Sequence, residues 1–132
     1  MTTKEFNEQR RRIRRLCDKW MPRLGMSWHR LELNYSEERD GGNPDSAAHS
    51  RSAWEYKDAS ITWFCPVTAT IDDKFLERIV VHEMAHVLVA PMRSHDVPME
   101  NEELVCTTLA DAFMWTAEEV DKATRKELRR AS

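Results

Sequence analysis

The spacing of apolar residues divides the first half of the chain into one helix and three strands. Apolar side chains recur at helical spacing over residues 4–20, which predicts an amphipathic helix. Apolar and polar residues alternate over 28–35, so this segment is predicted to be a half-buried strand. Two further segments, 47–56 and 59–64, are separated by a two-residue turn and predict a pair of adjacent strands.

The second half of the chain is predicted to be helical. Residues 75–89 are apolar around most of a helical circumference, so this helix should be buried on nearly all sides. A capping-box match that begins at Thr70 would open it, and Pro91 would end it. A last long helix is predicted over about 100–115.

This last helix is expected to pack through one apolar stripe and to stop before a charged tail. The stripe consists of Leu104, Val105, Thr108, Leu109, Ala112 and Phe113. A second capping-box match begins at Thr116, which predicts a kink or a separate solvated helix over 118–130. The pattern as a whole predicts one α+β domain over residues 1–132, with a short twisted three-stranded sheet.

The composition narrows the class of protein. With 41% hydrophobic and 33% charged residues, the chain is expected to be soluble and globular, and no apolar run reaches the length of a membrane span. The N-terminal residues lack the apolar region of a signal peptide. Three widely spaced cysteines, Cys17, Cys65 and Cys106, are typical of reduced, buried thiols, which favours a cytoplasmic location.

One motif in the buried helix carries recognisable chemistry. His82 and His86 flank Glu83 in the pattern H-E-x-x-H, and residues four apart lie on one face of a helix. The two imidazoles can therefore hold one zinc ion, which requires a further protein ligand and makes bound water more acidic. Glu83 lies about 100° further round the helix, where it can act as general base towards that water.

The third ligand is expected from the segment that follows Pro91. The candidates are Glu100, Glu102, Glu103, His95 and Asp96. Glu103 is favoured over Glu102 because it shares a helix face with small residues, which let the two helices approach closely. Glu102 shares its face with Val105 and Leu109, which would hold the helices further apart.

Candidates for stabilising an oxyanion are less specific. His95 follows the metal helix and could donate a hydrogen bond to a tetrahedral intermediate, although a surface histidine is the favoured interpretation. Tyr56 and His49, on the predicted strands, are weaker candidates.

These motifs resemble those of a known group of enzymes. His82-Glu83-Met84-Ala85-His86, followed by E-x-x-C-x-x-x-A from Glu103, is similar to the gluzincin branch of zinc metallopeptidases. Many gluzincins carry E-x-x-A-x-x-x-A on the second helix, and Cys106 replaces the first alanine here. The likeness covers roughly residues 28–115. It extends to ImmA/IrrE-like peptidases and to small metallopeptidase-like proteins of phages and prophages.

The resemblance implies a zincin-like fold whose edge strand receives a peptide in extended form. It also implies a zinc-dependent peptidase that acts on a protein or peptide, with His82, His86 and Glu103 on zinc and Glu83 as general base. The alternative is a catalytically silent, zinc-stabilised regulatory or protein-binding module, which would require a fourth protein ligand.

A run of arginines in the first helix gives a third hypothesis. Five arginines lie within residues 10–15, and they would contact nucleic acid if they formed a phosphate-binding strip. A solvated helix face is the favoured interpretation, because no aromatic residue is interleaved on the basic side and the net charge is −3.

Overall fold

The computed structural model describes residues 1–93 and 97–132, and it confirms the α+β class. Four helices and three strands follow in the order α1 (Thr3–Arg23), β1 (Arg30–Ser36), β2 (Ala48–Ala53), β3 (Asp58–Phe64), α2 (Cys65–Thr68), α3 (Asp73–Val89) and α4 (Glu102–Ala131). The first helix and all three strands lie where the apolar pattern predicts them.

The sheet has the strand order β1-β3-β2, so the last strand in sequence is the central one. β2 and β3 form an antiparallel pair, as their short connection requires, and Lys57 turns the chain with a left-handed backbone at φ 54°. β1 pairs with β3 in parallel, with Leu33 opposite Ile61. β1 and β2 are therefore the two edges of the sheet.

Helix α1 is fastened to α3 by polar contacts as well as by apolar packing. Its apolar face buries Ile13 and Trp20 in the core, and a capping box at Thr2 closes its N-terminus. The Trp20 indole N–H donates to Glu77 over 2.8 Å, and Lys19 reaches the same carboxylate at 2.6 Å. The helix continues through Pro22, and Gly25 follows its C-cap with φ +72°.

Helix α3 begins later than the sequence predicts. Its N-cap is Asp72, whose carboxylate accepts from the Phe75 N–H over 2.8 Å. Thr70 instead donates its hydroxyl to the Val67 carbonyl in the preceding turn, so the predicted capping box does not form. The helix ends at Val89, as Pro91 requires. It is buried along much of its length, although Phe75 is half exposed.

One prediction for the last helix is wrong, and the predicted apolar stripe is confirmed only for Leu109 and Phe113, which pack against the core. α4 runs unbroken over 30 residues, because Thr116 donates its hydroxyl back to the Ala112 carbonyl and does not cap a new helix. The face that α4 buries contains Glu102, Cys106 and Ala110, whereas Leu104 and Val105 of the predicted stripe are exposed. Small side chains on the buried face let α4 lie close along α3.

All three cysteines are free and buried, as their spacing predicts. Burial raises the pKa of the Cys17 and Cys106 thiols to about 12 and that of Cys65 to about 11. Among the helices in the described part of the chain, none combines the length and apolarity that crossing a bilayer demands.

Candidate metal centre

The two histidines of the H-E-x-x-H motif lie one turn apart on α3 and face the same point. Their Nε2 atoms are 3.1 Å apart, and the rings meet nearly edge to face at 75°. His86 is buried and His82 is partly exposed. The predicted pairing of the two imidazoles on one helix face is therefore present.

Glu103 brings a carboxylate to the same point from α4. One carboxylate oxygen lies 3.1 Å from His82 Nε2, and the other lies 3.0 Å from His86 Nε2. The side chain of Glu103 is 80% exposed, so it reaches the histidines from the solvent side of the cleft. These three residues form one of two clusters, within the described ranges, whose ligand atoms could hold a metal ion.

Glu102 occupies the opposite side of His86. Its carboxylate lies 2.6 Å from His86 Nδ1, and it is 4% exposed. Arg93 approaches the same carboxylate through Nε and Nη2, each at 2.8 Å. The Arg93 guanidinium and, to a smaller extent, the contact with His86 lower the pKa of Glu102 to about 2. Glu102 is therefore ionised at neutral pH.

This contact determines which His86 nitrogen faces the cleft. An ionised carboxylate accepts a hydrogen bond, so Nδ1 is the nitrogen that donates to Glu102 and Nε2 is the nitrogen that faces the cleft. Histidines that bind metals ordinarily make such a bond through the second ring nitrogen. Glu102 thus orients His86 so that Nε2 lies on the His82 side.

The second cluster, His86 with Glu102 and Cys106, is less suitable for a cation. The Arg93 guanidinium already neutralises Glu102, and burial leaves the Cys106 thiol protonated. A metal there would have to displace the guanidinium and the thiol proton in a closed space. The cluster therefore serves to orient His86.

Glu83 lies beside the histidines and points towards β2. Burial raises the pKa of Glu83, while the charges of His86 and His82 and hydrogen bonding with Ser50 oppose the rise. Ser50 belongs to β2, so the edge strand and the motif helix meet at this carboxylate. A carboxyl with a raised pKa is a stronger base once it has lost its proton.

Two clefts meet above Glu83 and share its side chain, together with Ser46 and Ala48. The larger, about 690 Å³, lies on the His86 side and is lined mainly by polar residues, including His49 and Arg51. The smaller, about 460 Å³, lies on the His82 side and includes the apolar residues Ile71, Phe75 and Ile79. A molecule that filled both clefts would cross the candidate centre.

The structure thus brings together His82, Glu83, His86 and Glu103, and it places Glu102, another candidate for the third ligand, on the far side of His86. His95 and Asp96 lie outside the described residues. His49 lines the polar cleft, and Tyr56 is an exposed residue of the turn before β3. The role of Glu102 beside Nδ1 was missed, although the need of a ligand histidine for a partner at its second nitrogen could have indicated it.

Comparison of the chain with protein-family models, with curated proteins and with solved structures gave no match.

Proposed function

We propose that this protein is a zinc-dependent peptidase of the gluzincin type. The observation that carries the proposal is the meeting of His82 Nε2, His86 Nε2 and the Glu103 carboxylate, each about 3 Å from the others. Glu83 adjoins them in an open cleft. Two imidazoles, one carboxylate and an open side are the arrangement that catalytic zinc sites use.

The donor set fits zinc in kind and in spacing. Ligand bonds of about 2.0–2.1 Å in a tetrahedral arrangement place the ligand atoms about 3.3 Å apart. The distances of 3.0–3.1 Å between the three groups are close to that value. Zinc at this point would supply a Lewis acid that polarises a carbonyl and makes water more acidic.

The chain's own residues supply the proton transfers. Glu83 takes the proton of the attacking water and passes it to the leaving amine when the amide bond breaks. Its burial keeps the carboxylate poorly solvated and therefore basic. Glu102 and Arg93 hold the His86 ring, so the neighbouring groups keep their positions while the proton moves.

An extended peptide is the substrate that best fits the surroundings of the site. β2 is an edge strand, and the hydrogen bond from the Phe64 N–H to the Ala47 carbonyl fixes the phase of its pairing with β3. The backbone N–H and C=O groups of residues 49 and 51 therefore point to β3. Those of Ser50 point away from β3, towards the cleft. A peptide that added to this edge would lie over Glu83.

The test is a comparison of Glu83→Gln with wild type on a library of denatured-protein peptides, read by mass spectrometry. Wild type loaded with zinc should produce new peptide ends, and Glu83→Gln should bind zinc equally but produce none. Glu100→Gln, an exposed glutamate ahead of α4, is the matched control and should cleave like wild type.

Two results would contradict the proposal. One is full activity of Glu83→Gln, and the other is wild type that binds zinc tightly but cleaves nothing. The second result would instead support the zinc-stabilised protein-binding module.

A further inference from the structure

The arginine run of α1 divides into one structural residue and four that face a groove. Arg12 is only 15% exposed, and it donates to the Thr68 carbonyl at 2.9 Å, to the Ile71 carbonyl and to Asp73 at 2.6 Å. Arg12 therefore anchors α1 to the start of α3. Arg10, Arg11, Arg14 and Arg15 are all exposed.

These four arginines line a groove of about 860 Å³ between α1 and β1. The remaining lining residues are Asn7, Asp18, Leu33 and Tyr35. The Arg10 guanidinium lies 5.4 Å from the Tyr35 ring and 5.7 Å from the Phe6 ring, which are cation–π distances. The fold thus places an aromatic residue of β1 among the arginines, which the sequence of α1 alone does not show.

Positive charge is concentrated in this groove, although the net charge of the chain is negative. Four guanidinium groups stand against one carboxylate, that of Asp18, which pairs with Arg14 at 3.2 Å. The whole chain carries −3. A basic groove on an acidic protein attracts a polyanion locally without non-specific attraction over the rest of the surface.

The groove is separate from the candidate metal centre. It borders β1, whereas the centre borders β2, at the opposite edge of the sheet. The two sets of lining residues have no member in common. A ligand in the groove would leave the metal centre open.

We propose that this groove binds a single strand of nucleic acid through its phosphates, with Arg10 and Tyr35 as a stacking surface for a base. Guanidinium groups match phosphate oxygens in a bidentate geometry, and basic grooves with aromatic residues are the usual means of binding single strands. The lining distinguishes this ligand from a protein, because protein interfaces have an apolar centre and this groove has a charged one.

The same residues argue against a membrane surface. A helix that lies in a lipid interface presents an apolar face to the lipid. The apolar face of α1, with Ile13, Leu16 and Trp20, is buried in the core. Only its charged face is available.

The experiment is fluorescence anisotropy with a labelled 20-nucleotide oligothymidine and the metal-free full chain over a range of salt. About four phosphate contacts give a slope of roughly −2.8 in log K against log salt, or about 50-fold weaker binding at 200 mM than at 50 mM. The variant Arg11→Glu/Arg15→Glu should bind at least about tenfold more weakly, with a shallower slope. Tyr35→Leu should weaken binding and keep the slope.

The matched control reverses two exposed arginines at the far end of α4, in Arg125→Glu/Arg129→Glu. It alters net charge equally and should bind within about twofold of wild type. Circular dichroism verifies that each variant is folded. Equal loss in both double variants, a flat salt dependence, tighter binding of a poly-glutamate peptide, or tighter binding of duplex DNA would each overturn the proposal. None of these measurements depends on peptidase activity.

Discussion

Two successive glutamates at the start of α4 should respond differently to the same substitution. Glu102 is buried between Arg93 and His86, and Glu103 is exposed beside both Nε2 atoms. Replacing either by glutamine removes one negative charge and keeps the shape of the side chain. Any difference between the two variants in stability or in zinc affinity therefore reflects only the positions of the two glutamates.

For Glu102→Gln the main effect should be on stability. The Arg93 side chain is 14% exposed and that of Glu102 is 3%, so the substitution leaves a largely buried guanidinium facing a neutral amide. Breaking a buried pair costs about 3–5 kcal/mol when the remaining charge has no other partner. A smaller loss of about 1–3 kcal/mol is expected here, because the amide oxygen still accepts one hydrogen bond and Arg93 has a further interaction. Zinc affinity should also fall by about 10–100-fold, because His86 loses the partner that orients it.

For Glu103→Gln the main effect should be on metal binding. Its side chain is 80% exposed, so the free energy of unfolding without metal should stay within about 0.5 kcal/mol of wild type. Loss of a direct ligand should weaken zinc binding by more than the change at Glu102 does.

Urea unfolding in the presence of a chelator measures the free energy of unfolding. Competition with a chromophoric chelator measures zinc affinity. Glu100→Gln serves as the control in both. If Glu103→Gln unfolded at lower urea than Glu102→Gln, or if Glu102→Gln alone abolished zinc binding, the assignment of the two roles would be wrong.

Three further predictions concern the scaffold. The free energy of unfolding should fall as pH rises above about 9, the ordinary thiol pKa, and continue to fall towards 12, because above pH 9 the three thiols, Cys17, Cys65 and Cys106, stay protonated only in the folded state. Urea midpoints between pH 8 and 10.5 measure this decline. A Cys17→Ala variant should show a smaller decline. Lys57→Gly should raise the unfolding free energy by up to about 1 kcal/mol, since it relieves a left-handed backbone, and a lower thermal midpoint would contradict this. Deleting 118–132, whose residues are all exposed, should change stability by less than about 1 kcal/mol and leave zinc affinity intact, as calorimetry and metal titration would show.

The helices and strands could be predicted from the sequence where the local pattern of residues determines them. Alternation in 28–35 and the Ile, Thr, Trp and Phe content of 59–64 located β1 and β3 within two residues. These local signals could not indicate that the two strands pair in parallel, because they show which side chains share a face and not which strand lies alongside. That pairing depends on contacts between distant segments.

The last helix shows where hydrophobicity misleads. Its buried face contains a glutamate, a cysteine and an alanine, at Glu102, Cys106 and Ala110, while Leu104 is 66% exposed. Size, rather than apolarity, selects this face, because close approach to α3 requires small side chains, and the buried glutamate is stabilised by Arg93.

The same packing explains the outcome for the third ligand. The argument from small residues placed Glu103 opposite the histidines, and the structure does bring its carboxylate to both Nε2 atoms. However, Glu102 is the glutamate in line with Cys106 and Ala110, and it reaches His86 Nδ1. Arg93 lies seven residues past His86, and nothing in the sequence indicates that it pairs with Glu102.

Glu102 and Glu103 lie in the first turn of a helix whose beginning is not secured in the ordinary way. The N-cap, Asn101, has a left-handed backbone and makes no capping bond with its side chain. Helix ends open more readily than helix centres, and here Glu102 tethers the turn sideways to Arg93 and His86. A fluctuation that released Glu102 would also withdraw Glu103 from both imidazoles. Opening of this single helical turn would therefore separate the three-residue cluster while the rest of the molecule stayed folded.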